Sequence, residues 1–180
     1  MSARVDALDA SVDRPLVRDA TGADLPRLGR LGALLVEEHH AYDERRFLPT
    51  RERLPLDYAG FLLRQMRDAN AVVLVAEDHG DVIGYAYATV EGHDYMALRG
   101  PAGVLQDVIV DPEARGRGVG CLLLEAAVVA LAARGAPQVV LSTAARNERA
   151  QRLFARSGFR PTMIEMTREL GGDPSHEEGR

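Results

Sequence analysis

The stretch EARGRGVGCLLLEA, residues 113–126, places glycines at positions 116, 118 and 120, between two arginines and a long apolar run. Glycine inside a helix costs about 0.5 to 1 kcal/mol against alanine, so such density ahead of a helical run needs a compensating use. A helix start leaves unpaired N–H groups and the positive end of the helix dipole, and glycines there let an anion approach bare backbone. The stretch therefore reads as a diphosphate cradle or, alternatively, as a Gly-rich turn selected for tight helix packing. Two familiar cradles fail on spacing. A P-loop requires GxxxxGK followed by Ser or Thr, and no lysine follows here. A dinucleotide fingerprint requires GxGxxG near a first strand and an acid about 20 positions on. Here the spacing is GxGxG, and the matching region LAARGAPQVV, 131–140, holds no acid.

Outward from the cradle, GVLQDVIVD (103–111) reads as a strand, and the apolar run 119–133 as a helix stopped by Gly135 and Pro137. QVVLSTA (138–144) reads as a buried strand, and Asn147 as the cap of a helix with Ala150, Leu153 and Phe154 on one face. FRPTMIEMTREL (159–170) alternates apolar and polar residues and reads as a last strand, a covered edge or an interface. Upstream, AVVLVAED (71–78), the turn HGD and VIGYAYATVEG (82–92) form a hairpin pattern. PLVRDA (15–20) is a short strand, followed by a helix over 21–40 capped by Thr21 or Asp24, with Leu25, Leu28, Leu31 and Leu35 as its apolar stripe. Residues 41–55, broken by Pro49 and Pro55, read as a loop, and 57–68 as a second helix. The expected order is strand, helix, helix, three strands, helix, strand, helix, strand, with a right-handed βαβ unit around the cradle.

The 180 residues are 46% hydrophobic, which suits one packed domain. We place it at 15–170, between a flexible N-terminus (1–14) and a Gly, Pro and charge-rich disordered tail (171–180). The 27 acidic against 22 basic residues, a net charge of -5, argue against nucleic acid or an anionic membrane as partner. No signal-peptide core is present at the start, and the longest apolar run, 118–133, is interrupted by Glu125 and too short for a span. Cys121, the single cysteine, forms no intramolecular disulfide and reads as a small buried apolar residue in a cytoplasmic protein.

The chain resembles the GNAT superfamily of N-acetyltransferases. Arg115, Gly118 and Gly120 match its pyrophosphate signature, Arg or Gln, two residues, Gly, one residue, Gly or Ala. LQDVIVDPEARGRGVGCLLLEAA (105–127) and NERAQRLFARSGF (147–159) resemble the surrounding family segments, and the element order extends the similarity over 15–170. The resemblance implies a mixed α/β fold: one domain with a mixed, mostly antiparallel central sheet, a splayed parallel pair formed by its fourth and fifth strands, and flanking helices. It implies acetyl-CoA as donor substrate, an amine as acceptor, no metal, and a possible homodimer. Amides of Gly116, Arg117, Gly118, Val119, Gly120 and Cys121 would hold the pyrophosphate, beside Arg115. The backbone of Val108, Ile109 and Val110 would pair with the pantetheine arm as an added strand. Asn147 and Phe154 would line the same slot.

Acyl transfer to an amine needs a neutral nitrogen, a stabilised oxyanion and protonation of the departing thiolate. By analogy the Val108 N–H would polarise the thioester carbonyl. Two positions depart from the family pattern. Gln106 stands where many members have a glutamate acting as base, and it cannot accept a proton. Phe154 stands where many have a tyrosine acting as acid. Asp107 is then one candidate base. Others are Glu37, Glu38, His39 or His40 in the EEHH cluster, Glu91 or His93 after the hairpin, or water. Tyr85 and Tyr87 share a strand face, as core or as acceptor-pocket wall.

Overall fold

A computed structural model describes residues 14–170. The loose N-terminus and tail expected from the sequence fall mainly on 1–13 and 171–180, outside the described residues. The elements run β1 (Leu16–Asp19), α1 (Leu25–Tyr42), α2 (Leu54–Gln65), β2 (Ala71–Asp78), β3 (Asp81–Glu91), β4 (Ala102–Val110), α3 (Val119–Ala133), β5 (Val139–Leu141) and α4 (Glu148–Arg156). They form one five-stranded sheet in the order β1-β2-β3-β4-β5. Its first three pairings are antiparallel, and β4 with β5 is parallel.

Helices cover both faces, and each face has its own core. On one side the apolar α3 buries Val119, Leu123, Leu124, Ala127 and Leu131 against Val72, Leu74, Ala86, Ala88 and Leu105. On the other, Leu28 and Leu31 of α1 and Leu62 of α2 pack on Val73, Val75, Tyr85, Tyr87 and Ile109. Alternation along β2 and β3 divides their side chains between the two layers. α1 and α2 come very close. A Cβ on Gly32 would lie 2.1 Å from the Tyr58 ring, and one on Gly29 2.2 Å from the Pro55 carbonyl.

α2 starts at Leu54, earlier than position 57, because a proline in the first turn leaves unmade only a hydrogen bond that no helix start can make. Pro55 thus opens a helix where the sequence reading made it a breaker. The expected last strand is absent. Residues 159–170 carry no regular structure, and Met163, Ile164, Met166 and Leu170 are exposed. Alternation signals a capacity to pair, but the ladder on β5 is only three residues long. Glu165 instead ion-pairs with Arg46 in the loop after α1.

The register of β4 against β3 shifts between Tyr87 and Ala88, which face Asp107 and Leu105 respectively. Gln106 is the extra residue, a β-bulge. In a regular strand of the same sequence, residues 105 and 107 would share a face. With the bulge, Leu105 packs under α3 while Asp107 turns toward α1 and α2.

Candidate active site

β4 and β5 pair only from Gly103 to Leu105 against Val139 to Leu141. Pairing stops at the residue before the bulge, and the strands part. The resulting cleft, about 260 Å³, is lined by residues of α1 and its following loop (Leu35, Val36, Glu38, His39, Phe47, Leu48), of β4 (Leu105 to Ile109) and of the β5–α4 side (Leu141 to Thr143, Asn147, Ala150, Phe154). A wider opening of about 670 Å³ shares no lining residue with it, and its Asp24, Arg27, Asp111 and Arg117 are held in ion pairs.

Asp111 N–H donates to the Ile83 carbonyl at 2.8 Å, so that residue faces β3. Antiparallel alternation then turns the Ile109 backbone to β3 as well, and the Val108 and Val110 backbones to the cleft. The three-residue edge expected from the sequence reduces to Val108 and Val110. The Val110 carbonyl already accepts from Arg115 Nε at 2.9 Å. Val108 turns its backbone toward the cleft, which it lines.

The loop after β4 enters α3 through Gly116 and Gly118, with φ of 83° and 82°. A Cβ at either would meet nothing within 4 Å, so glycine serves backbone conformation there, not tight packing. The amides of residues 116–120 are not spent on the turn bonds that bracket the loop. The Cys121 amide is, donating to the Gly118 carbonyl at 3.0 Å, so it leaves the expected cradle. The Cys121 side chain is exposed, not buried. The Arg115 side chain donates to the Val110 carbonyl and ion-pairs with Glu38 of α1. Arg117 pairs with Asp78 in the β2–β3 hairpin at 2.8 Å.

Asn147 caps α4 through its side-chain oxygen, which accepts from Ala150 N at 3.0 Å, while the residue also lines the cleft. Phe154 lies edge-on to Phe159, with centroids 6.0 Å apart. It brings no proton donor. Gln106 is exposed, and its amide group reaches Glu91 at 3.3 Å.

Asp107 sits at the cleft floor, and its Oδ2 accepts from Tyr58 at 2.6 Å and from Tyr85 at 2.9 Å. Burial pushes its carboxyl above the ordinary range, opposed by the two phenols and by the nearby His39 ring. Burial and the Asp107 charge push both phenols up, so they stay neutral donors. Tyr85 and Tyr87 are core residues rather than pocket wall, and Tyr87 donates to Gln65 at 2.8 Å. Among the candidate bases at the end of α1, Glu38 and His39 line the cleft, while Glu37 and His40 do not; nor do Glu91 and His93. His39 is placed by α1 continuing to Tyr42, and its signal in the sequence was the i+4 step from Leu35 along the apolar stripe.

Residues 34–159 match the model of the Acetyltransferase (GNAT) family. An uncharacterized N-acetyltransferase from Bacillus subtilis is 31% identical over 101 residues, 55% of this chain and 65% of that protein. A mycothiol acetyltransferase from Thermobispora bispora is 36% identical over 117 residues, 62% of this chain and 34% of that protein. The chain thus spans only part of these relatives. The aminoglycoside N-acetyltransferase AAC(6')-Iy, solved in complex with CoA, superposes with a TM-score of 0.69 at 19% identity, covering 87% of this chain and 95% of that one. With a splayed β4/β5 pair, a positive-φ glycine loop opening α3, and a family match over most of its length, the chain belongs to the acetyltransferase (GNAT) family.

Proposed function

We propose that the protein transfers the acetyl group of acetyl-CoA directly to a primary amine of a small molecule or peptide. The observation that carries this reading is the juxtaposition of cradle and slot. Gly116 and Gly118 turn backbone toward open space at the start of a 15-residue helix, and the unpaired half of β4 begins at the same loop. Open space beside free amides at a helix N-terminus fits a diphosphate. The arm attached to it would run along Val108 and Val110, and Asn147 would face it from α4.

Acetyl-CoA would supply an activated acyl group whose thiolate leaves readily. The chain supplies position and charge. Holding amine and thioester together can contribute about 7 to 11 kcal/mol, and the Val108 N–H would stabilise the developing oxyanion. Asp107 gives the cleft a negative floor suited to a cationic acceptor. A similar protein named a mycothiol acetyltransferase and a fold neighbour named an aminoglycoside N-acetyltransferase support an amine acceptor in kind, not in identity.

A second reading, a non-catalytic acyl-CoA-binding module, draws on Gln106 and Phe154, which offer neither base nor acid. Two measurements separate the readings. At about 100 times its dissociation constant acetyl-CoA adds roughly 2.7 kcal/mol, so melting should rise by about 5 to 10 °C in a domain of this size, with ATP and NADH inert. Free thiol is then followed across an amine and peptide panel. Release with any acceptor at an ordinary enzymatic rate ends the second reading. A melting shift with no release across the panel ends the first.

A further inference from the structure

We propose that His39 is the base that deprotonates the acceptor, with Nε2 as the receiving atom. This rests on the acetyltransferase reading above. Among the residues lining the cleft, Glu38, His39 and Asp107 have titratable side chains able to take a proton. Glu38 is held in its ion pair with Arg115. Asp107 has two phenol hydrogens on Oδ2 and serves better as a fixed charge that holds an ammonium than as a proton carrier. His39 is different. Its Nδ1 lies 2.8 Å from the Leu35 carbonyl. A carbonyl can only accept, so Nδ1 carries the hydrogen and Nε2 keeps the lone pair. The ring is held edge-on between Tyr42 at 5.9 Å and Phe47 at 5.1 Å between centroids, which fixes its plane on a rigid helix.

The charged and titratable groups around the ring include Glu38 and Tyr42 on α1, Arg46 over the Phe47 ring in the following loop, Asp107 on β4 and, behind it, Tyr58 on α2 and Tyr85 on β3. Arg146 approaches from the α4 side but is spent on the Tyr42 carbonyl at 2.8 Å. The rest of that side of the cleft offers the neutral Ser142, Thr143 and Asn147.

An acceptor ammonium, held by Asp107, gives one proton to Nε2 and becomes a neutral amine. Its lone pair forms the C–N bond to the acetyl carbon as the C–S bond breaks, and that electron pair leaves on sulfur. The second nitrogen proton reaches the sulfur through solvent, the third stays on the amide, and His39 returns its proton to solvent.

The test combines ¹⁵N spectroscopy of the wild type with the kinetics of two variants. In ¹⁵N spectra of the full chain at pH 8, His39 should show Nδ1 protonated and Nε2 bare. In His39→Gln, kcat/KM should fall about a hundredfold, the lower part of the span for a general base, with acetyl-CoA affinity changed less than twofold. The wild-type decline of kcat/KM toward acid should vanish in that variant, and added imidazole should restore part of the rate to His39→Ala. An Nε2-protonated tautomer, or a variant that keeps both the rate and the acid limb, overturns the inference alone. A wild-type protein that releases no thiol with any acceptor overturns the acetyltransferase reading and this one with it.

Discussion

Tyr58 and Asp107 are separated by 49 positions in the chain, and the hydroxyl of one donates to Oδ2 of the other at 2.6 Å. The contact joins α2 to the strand that lines the cleft. It exists because Gly32 leaves room for the Tyr58 ring against α1 and because the bulge at Gln106 turns Asp107 to that side.

Asp107→Asn should stabilise the fold at neutral pH while slowing acetyl transfer. A carboxyl whose folded pKa is raised adds stability only at low pH and loses it as pH rises through that value, so the burial penalty of the charged form grows from acid toward neutral pH. An amide oxygen can accept from the same phenols without carrying charge. We expect the urea midpoint at pH 7 to rise, with a higher KM for the acceptor. A variant less stable than wild type at pH 7 and equally active would show that the charge is neither costly nor used.

Gly32→Ala should displace Tyr58. The added Cβ would lie 2.1 Å from ring carbon Cδ1, so helix or ring must move. Overpacking of this kind costs about 1 to 3 kcal/mol, outweighing the helix propensity gained. Thermal unfolding reads the loss, and a Tyr58 side-chain resonance that stays in place would contradict the packing argument.

Gly118→Val should abolish the melting shift caused by acetyl-CoA. At φ of 82° an L side chain is strained, by roughly 1 to 2 kcal/mol in the left-handed region, and a branched one would crowd the cradle. The comparison is Gly22→Val, whose Cβ also meets open space but lies away from the cradle and at an ordinary φ. It should keep the shift in full.

Asp24→Asn should remove an acid-sensitive part of stability. Hydrogen bonds from Arg18 hold the Asp24 carboxyl down at about 2. A depressed carboxyl contributes above its unfolded value and loses that contribution as pH falls toward the folded one, here between about 4 and 2. Allowing for solvent screening at the partly exposed Arg18, the contribution is about 1 to 2 kcal/mol. Urea midpoints at pH 5 and pH 2.5 should differ less in the variant than in the wild type.

Local signals carried much of this architecture. Glycines at 116 and 118 required positive φ, the run 119–133 had to be buried, and the β-branched hairpin paired as its pattern indicated. Features set by long-range packing were not legible. Nothing near Gln106 marks a bulge, because the extra residue is defined by the partner strand. Pro55 reads equally as breaker or helix opener until the preceding chain is placed. Residues 159–170 have the rhythm of a strand, but rhythm does not supply a neighbour. In the site, the alternatives for the base narrowed only when α1 packed its Leu28, Leu31 face on the sheet and thereby carried His39 over β4.

Gln106 also separates folding from binding at one position. Deleting it would leave Leu105 under α3 and Asp107 under α1 and α2, since a regular strand already places adjacent residues on opposite faces. Both cores would survive. The ladder with β5 would then be free to run on past Leu105, over the backbone of Val108 and Val110, and the opening would zip shut. A more regular sheet here would be a sealed one, and the pocket persists because one residue is surplus to the pairing.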